Sequence, residues 1–215
     1  MTATLAKSCS GAHSTMQNPL RLVLASTSPR RASLLREHGY EFKVLAPALD
    51  EPAELSAGVS PANRAEALSY YKARSVVEMI DDGFVLGADT VVSLGEELFG
   101  KPQNREHARG ILRALAGTTH HVITGVTLLD ALTGDRTIGH DITAVTMKPL
   151  SPLELDDYLA TGAWEGKAGA YGIQDRADEF ITHFEGSFTN VVGLPMELVE
   201  WLLEGKGVRR SHAPS

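Results

Sequence analysis

The chain has 215 residues, a formal net charge of −7 at pH 7 and the ordinary composition of a globular protein. This length allows one large core or one domain with two lobes, and the negative charge gives no support for nucleic-acid binding. No apolar run approaches the roughly 18 residues needed to span a bilayer. The single cysteine, Cys9, excludes an internal disulfide framework and a cysteine metal cluster, so we expect a protein of the reducing cytoplasm, without a membrane partner.

The two ends of the chain lack the pattern of a folded element. Residues 1–18 are rich in Ser, Thr and Ala without apolar periodicity, and they lack the arginines of an organelle transit peptide. We predict a disordered tail there and a second, frayed tail at residues 207–215. Residues 19–206 are then expected to form a single domain.

Between the tails, apolar runs alternate with helical patterns, which favours an α/β fold. Strands are predicted at residues 21–26, 41–45, 84–93, 120–130 and 136–147. Helices are predicted at residues 29–38, 61–80, 104–115, 151–160 and 195–204. The last two strands are expected to form an antiparallel hairpin that turns at residues 133–135, so the sheet should be mixed.

The turn between the first strand and the first helix carries two basic residues in an unusual place. Ser28 is predicted as the N-cap and Pro29 as the first helical residue, so Arg30 and Arg31 fall in the first helical turn. Cations there are unfavourable by a few tenths to about 1 kcal/mol unless an anion faces them. A turn with hydroxyls, N–H groups and two guanidiniums suits a phosphate. A solvated helix start whose arginines point away is the open alternative.

The helix predicted at residues 61–80 carries a lysine on its apolar stripe, which is formed by Ala65, Leu68, Val76 and Met79. Lys72 lies four residues from both Leu68 and Val76, so it projects from the same face. An inward lysine must snorkel to the surface, pair with an acid or point into a cleft. The sequence leaves these three possibilities open.

The strand predicted at residues 84–93 is interrupted by one carboxylate, Asp89. An ionised aspartate inside an apolar run is unfavourable unless cations or a metal meet it. Asp89 is therefore either satisfied by backbone amides where the strand bends after Gly87, or it holds a divalent metal or activates water. Lys101 follows on a Gly-Lys-Pro turn, a motif that alone is typical of a plain surface turn.

Residues 162–174 are unusually rich in glycine, which lets a backbone approach a ligand closely. The segment is not a phosphate-binding P-loop, because its glycines are one residue too close and Ala168 replaces the magnesium-binding Ser or Thr. Gln174, which has both donors and an acceptor, is a candidate for reading a base edge. His120 and His121 begin a strand and face opposite sides, so we expect no shared metal there.

Five segments together resemble the Maf family of nucleoside triphosphate pyrophosphatases, also called septum-formation inhibitor proteins. In family order they are LASTSPRR (24–31), GADT (87–90), GKP (100–102), KAGAYGIQ (167–174) and EGSFTNVVGLP (185–195). The resemblance covers about residues 20 to 205. It implies an ITPase-like α/β fold, with an elongated mixed sheet and two lobes around a nucleotide-binding cleft. It also implies a homodimer and a requirement for Mg²⁺ or Mn²⁺.

The resemblance further implies roles for individual residues. Arg31, Lys72 and Lys101 would neutralise the triphosphate, and Ser26 and Ser28 would bind phosphate beside Arg31. Glu51 and Asp89 would hold the metal or orient water. Attack at the α-phosphorus would release a nucleoside monophosphate and pyrophosphate, a reaction in which positioning and charge stabilisation supply most of the rate.

Base preference would be set by Arg30, Thr90 and Gln174, a combination that resembles the branch acting on dTTP and UTP. The branch acting on 7-methyl-GTP typically has Trp in place of Arg30. This chain departs from the family pattern at residues 175–179, where Asp175 and Asp178 bear on the substrate range. The competing interpretation is a non-catalytic, nucleotide-binding regulator of cell division. That protein would not need an ionised Asp89, so the presence of both Asp89 and Glu51 favours the enzyme.

Overall fold

The computed structural model describes residues 22–48, 58–174 and 179–211. Within these ranges a mixed sheet is formed by β1 (Leu22–Ala25), β2 (Lys43–Leu45), β3 (Phe84–Leu94), β4 (Glu97–Phe99), β5 (Thr119–Asp130), β6 (Arg136–Met147) and β7 (Ile181–Glu185). The helices are α1 (Pro29–Glu37), α2 (Pro61–Val77), α3 (Arg105–Leu115), α4 (Pro152–Ala160), α5 (Phe188–Val192) and α6 (Met196–Gly205), with a 3₁₀ turn at Ala168–Ala170.

The α/β class with a mixed sheet is confirmed, and so are all five predicted strands, all five predicted helices and the hairpin between β5 and β6. The sequence analysis missed β4, β7 and α5. Each has five residues or fewer, which is too short to show the apolar period of a helix or a strand. Strand β7 is also largely exposed, so its apolar and polar residues do not alternate between a buried and an exposed face. Helix α2 ends at Val77, and the predicted stripe residue Met79 lies beyond it and is exposed.

The strand order β2-β1-β3-β5-β6-β7 leaves an opening beside β3. Strand β1 runs parallel to β3 and its pairing ends at Ala25 with Gly87. Strand β4 pairs with the far end of β3, starting at Val92 with Phe99. On that side, residues 88–91 of β3 therefore have neither strand as a ladder partner, while β5 pairs with them on the other side. The sheet opens here.

Helix α2 packs directly on the backbone of β3 and β5. A Cβ atom at Gly87 would lie 2.3 Å from the carbonyl oxygen of Ser69, and one at Gly125 would lie 2.2 Å from the carbonyl carbon of Ala65. Only glycine permits this approach. The close packing brings the side chains of α2 within reach of β3 beside the opening.

Two large hydrophobic clusters lie on either side of the opening, as expected for two lobes. One contains Leu24, Leu86 and Leu203 and is covered by α1 and α6. The other contains Leu112 and Met147 and is covered by α3 and α4. None of the helices in the described ranges has the length and apolar character that a membrane span requires.

Part of the segment predicted as a frayed C-terminal tail is packed. Val208 is buried in the first cluster, and the Ser211 N–H donates to the Gly39 carbonyl at 2.9 Å. The Arg210 guanidinium pairs with Glu200 and lies over the Tyr40 ring. The basic, polar composition of residues 209–211 concealed these contacts. Residues 1–21 and 212–215 lie outside the described ranges.

Candidate active site

A cavity of about 620 Å³ occupies the opening beside β3. Its lining includes nine residues that the sequence analysis selected: Ser26, Ser28, Arg30, Arg31, Lys72, Asp89, Thr90, Lys101 and Gln174. The structure thus brings these residues into one cleft, although they are spread over about 150 positions of the chain. Their individual roles stay predictions. Glu51 lies outside the described residues.

The β1–α1 turn presents the start of α1 to the cleft. Ser28 occupies the N-cap position and Pro29 begins the helix, but the Ser28 side chain makes no capping hydrogen bond. Its own N–H donates to the Ser26 hydroxyl at 3.1 Å. Pro29 has no N–H and the Ala32 N–H donates to the Ser28 carbonyl at 3.4 Å, so the helix starts at once behind the cleft. The positive end of its dipole lies at this turn, which suits the binding of an anion in the cleft.

Arg31 is almost completely buried and joins three parts of the fold. Its Nε donates to the Gly193 carbonyl at 2.7 Å, and its Nη1 donates to the Ala88 carbonyl at 2.8 Å. The Ala88 carbonyl belongs to the open edge of β3, where a strand would otherwise bind it. The alternative of a solvated arginine is therefore wrong for Arg31, and its guanidinium is a structural clamp as well as a wall of the cleft.

Thr90 extends this clamp into the sheet. Its hydroxyl accepts from Arg31 Nη2 at 3.1 Å and lies 3.0 Å from the Thr124 hydroxyl. Thr124 donates in turn to the Asn190 carbonyl at 3.1 Å, so the Thr90 hydroxyl donates to Thr124. The Thr90 hydroxyl is thus bonded to protein groups as both acceptor and donor.

Asp89 points to the opposite face of β3, toward α2. The carboxylate is buried, and its Oδ1 accepts a hydrogen bond from the Nζ of Lys72. Two of the three possibilities for Lys72 hold together: the lysine pairs with an acid, and it lines the cleft. Snorkelling to the surface is excluded, because the Lys72 side chain is only 16% exposed.

A smaller cavity of about 280 Å³ adjoins the cleft under α2. It shares Asp89, Thr90 and Lys101 with the main cleft, and Arg64 of α2 lines its wall. Arg64 and Lys72 lie eight residues apart, on one face of α2. The sequence analysis missed Arg64, although its spacing from Lys72 was visible in the sequence.

The glycine-rich segment forms the far wall of the cleft. The Gly169 N–H donates to the Gly100 carbonyl at 3.2 Å, which joins this segment to the turn that carries Lys101. The segment also brings Lys167 into the lining, with its Nζ bonded to the Ala163 carbonyl. Lys167 was noted as the first residue of the KAGAYGIQ motif, and no role in the site was predicted for it. The exposed Gln174 ends the wall, as its place in the sequence suggested.

The described carboxylates do not form a ready-made metal site. No group of three or more His, Cys, Asp or Glu within the described ranges is placed to hold an ion. Asp89 faces the cleft, and Glu165 also lines it. Mg²⁺ is usually bound by one or two carboxylates together with water and substrate phosphates. The donor set therefore fits an ion that is bound together with a triphosphate.

An α/β fold with a cleft of cations, hydroxyls and one buried carboxylate defines a class of protein suited to phosphorylated ligands. Residues 21–206 match the Maf-like protein model, and the chain belongs to the Maf family. It is similar to the dTTP/UTP pyrophosphatase of Pelotomaculum thermopropionicum, with 45% identity over 186 residues, 86% of this chain and 96% of that protein.

Other known proteins extend the comparison. The dTTP/UTP pyrophosphatase of Moorella thermoacetica is 44% identical over 188 residues, which cover 87% of this chain and 96% of that protein. The HAM1 protein structure from Coxiella burnetii is 16% identical with a TM-score of 0.41, covering 60% of this chain and 73% of the other. A likeness of this size carries no argument about the fold.

Proposed function

We propose that this protein hydrolyses dTTP and UTP to the nucleoside monophosphate and pyrophosphate. The observation that carries the proposal is the buried Asp89 carboxylate, which is bonded to Lys72 in a cleft lined by further cations. The substrates named for its relatives from Pelotomaculum and Moorella support the same choice. A carboxylate in this position is unfavourable for binding an anion, so its presence favours a chemical role.

In the proposed reaction, a water oxygen attacks the α-phosphorus and the bond between that phosphorus and the bridging oxygen to the β-phosphate breaks. Asp89 accepts the proton of the water, and pyrophosphate leaves with the bridging oxygen. Lys72 holds the carboxylate in place through its hydrogen bond to Oδ1. The N–H groups at the start of α1 and the Ser26 hydroxyl bind the phosphate that stays with the nucleoside.

The pyrophosphate end of the substrate occupies the side cavity in this proposal. Arg64 and Lys101 line that cavity, and Asp89 and Thr90 line both it and the main cleft. Two cations on the leaving group stabilise the negative charge that develops there. A divalent ion, Mg²⁺ or Mn²⁺, would add charge stabilisation to the phosphates, and Asp89 with Glu51 would hold it.

The base is proposed to lie against the glycine-rich wall. Gln174 offers both donor and acceptor atoms, which complement the carbonyl oxygens and ring N–H of a uracil or thymine edge. Arg30 adds donors from the opposite wall. A purine presents another pattern and leaves these groups unpaired, which lowers its turnover. A homodimer and a cytoplasmic location complete the proposal.

Product analysis with dTTP, UTP, ATP, GTP and 7-methyl-GTP tests the function directly. With Mg²⁺ present, we expect dTTP and UTP to yield monophosphate and pyrophosphate, with a kcat/KM above that of the purine nucleotides. Release of a nucleoside diphosphate and inorganic phosphate would contradict attack at the α-phosphorus. Nucleotide binding without any turnover would instead support the non-catalytic regulator.

A further inference from the structure

His120 is a buried titratable residue that the proposed reaction does not use. It lies on β5 and is completely buried, whereas His121 is exposed, in agreement with the prediction that the two rings face opposite sides. The His120 Nε2 lies 2.7 Å from the Tyr171 hydroxyl. The two rings meet edge to face with centroids 5.4 Å apart. Tyr171 in turn lines the main cleft.

The floor of the cleft changes character along β3 and β5 toward this pair. Thr90 and Thr124 are paired across the two strands and form a hydroxyl layer beside Arg31. Two residues further on the same face, Val92 and Val122 are paired and form an apolar layer. His120 lies two residues beyond Val122 on this face. The apolar layer is where the flat face of a base finds the best contact.

The segment that holds Tyr171 is strained and tightly bound. Ala170 has a φ of 62°, a left-handed conformation that is unfavourable for a non-glycine residue. A Cβ atom at Gly169 would lie 2.9 Å from Val92 Cγ2 and 3.1 Å from the Tyr171 ring. The Tyr158 hydroxyl donates to the Ala170 carbonyl from outside the cleft. The crowding at Gly169 fixes the backbone of the wall, and the Tyr158 bond is a single addition from the far side. The Tyr171 hydroxyl, in contrast, is held by His120.

We propose that His120 is a positioning residue for base recognition, which holds the Tyr171 ring against the apolar layer and thereby places Gln174, three residues later, on the base edge. The inference rests on the proposed function for the nature of the ligand, a pyrimidine nucleotide. Tyr171 supplies the wall that the base contacts, and His120 acts through Tyr171 alone.

The side chains of His120 and Tyr171 are both neutral between pH 6 and pH 9. Burial lowers the pKa of His120 to about 4, and burial raises the pKa of Tyr171 above its ordinary value. Among the titratable groups near the ring, His121 on the same strand disfavours the imidazolium further. The contribution of the pair to base selectivity should therefore be the same from pH 6 to pH 9, even where kcat varies with pH.

The test compares Tyr171→Phe, His120→Phe and the double variant, each of which retains an aromatic ring but loses the hydrogen bond. We expect the KM for dTTP to rise about three- to tenfold, as for loss of one hydrogen bond, with kcat within about twofold of wild type. The dTTP-to-ATP ratio of kcat/KM should fall by the same factor. The double variant should lose no more than the more affected single variant.

Tyr158→Phe is the matched control. It removes another buried tyrosine hydroxyl that bonds the same segment, but the Tyr158 ring does not line the cleft. It should leave the KM and the selectivity at wild-type values. Equal effects of Tyr158→Phe and Tyr171→Phe would overturn the inference, because general loosening of the wall would explain both. Unchanged KM and selectivity in Tyr171→Phe would also overturn it.

Binding of dTMP, measured by calorimetry, separates this inference from the proposed hydrolysis. One outcome is that the wild-type protein shows no turnover, while dTMP affinity falls three- to tenfold in Tyr171→Phe and not in Tyr158→Phe. This outcome would support the inference and overturn the proposed hydrolysis. Turnover of dTTP with dTMP affinity unchanged in Tyr171→Phe would do the reverse.

Discussion

Asp89 and Thr90 are neighbours in the chain, and each accepts a hydrogen bond from a basic residue, but on opposite faces of β3. On the α2 face, the Asp89 carboxylate bonds to Lys72, so charge meets charge. On the other face, the Thr90 hydroxyl accepts from Arg31, whose remaining described bonds go to backbone carbonyls and the Ser26 hydroxyl. On the α2 face a cation is thus paired with an acid, whereas the bonds named for Arg31 tie it to carbonyl and hydroxyl oxygens of the scaffold.

The two faces of β3 are therefore expected to have different roles, catalysis on the α2 face and structural support on the Arg31 face. A carboxylate held in the cleft by an ammonium group is placed to act as a general base on a water molecule. A guanidinium that bonds several backbone carbonyls and hydroxyls is held at a fixed place and gives the cleft its shape. We therefore expect substitutions on the α2 face to reduce turnover, and substitutions on the Arg31 face to reduce stability.

Asp89→Asn should have the largest effect. The amide is nearly isosteric and still accepts a hydrogen bond from Lys72, but it does not accept a proton from water. We expect kcat for dTTP to fall by about 10²-fold or more, the range for one acid–base group, with the melting temperature little changed. Steady-state kinetics and calorimetry measure both. Near-normal turnover would remove Asp89 from the mechanism and erase the distinction between the two faces.

Arg31→Lys should show the reverse pattern. An ammonium group does not reproduce a planar fork that bonds Gly193, Ala88 and Thr90 together, so buried acceptors lose their donors. We expect the free energy of unfolding to fall by about 3 kcal/mol in urea titrations. Arg30→Lys on the same turn is the control and should change it by less than about 0.5 kcal/mol. Equal losses in both variants would contradict the clamp.

Lys101→Ala and Arg64→Ala test the side cavity on the α2 face. Each should weaken dTTP binding by about 1.5–3 kcal/mol, the value of a charge-assisted hydrogen bond, and leave dTMP binding within about twofold. Calorimetry in an Asp89→Asn background avoids turnover during the titration. Lys43→Ala, an exposed residue of β2 outside both cavities, is the control. Equal weakening of dTTP and dTMP would contradict a pyrophosphate pocket.

Three site residues could be found from the pattern alone, because each conflicts with its surroundings, whereas Thr90 and Lys101 were selected through the family resemblance. Asp89 interrupts an apolar strand, Lys72 lies on an apolar stripe, and Arg31 is a cation in the first turn of a helix. Each conflict is visible within about ten residues of sequence. The main strands and helices were predictable for the same reason, because their periods are local.

The partners of these residues were not predictable, because they come from distant parts of the chain. The Gly193 carbonyl that binds Arg31 is 162 residues away, and Tyr171 is 51 residues from His120. A backbone carbonyl carries no signal in the sequence, so the clamp on Arg31 was invisible. The opening beside β3 also depends on where β1 and β4 stop, and β4 has only three residues.

Gln174→Ala should have the smallest effect on the hydrolysis step. The residue does not belong to either face of β3. Gln174 lies on the far wall, with its side chain exposed at the rim of the cleft, so its loss should not disturb Asp89 or Arg31. We expect kcat for dTTP to stay within about threefold of wild type, while the dTTP-to-ATP ratio of kcat/KM falls about tenfold, since an exposed side chain contributes one or two hydrogen bonds. Parallel kinetics with dTTP, UTP and ATP measure both quantities. A loss of kcat with the ratio retained would assign Gln174 to the phosphates, and the separation of base and phosphate ends would then be wrong.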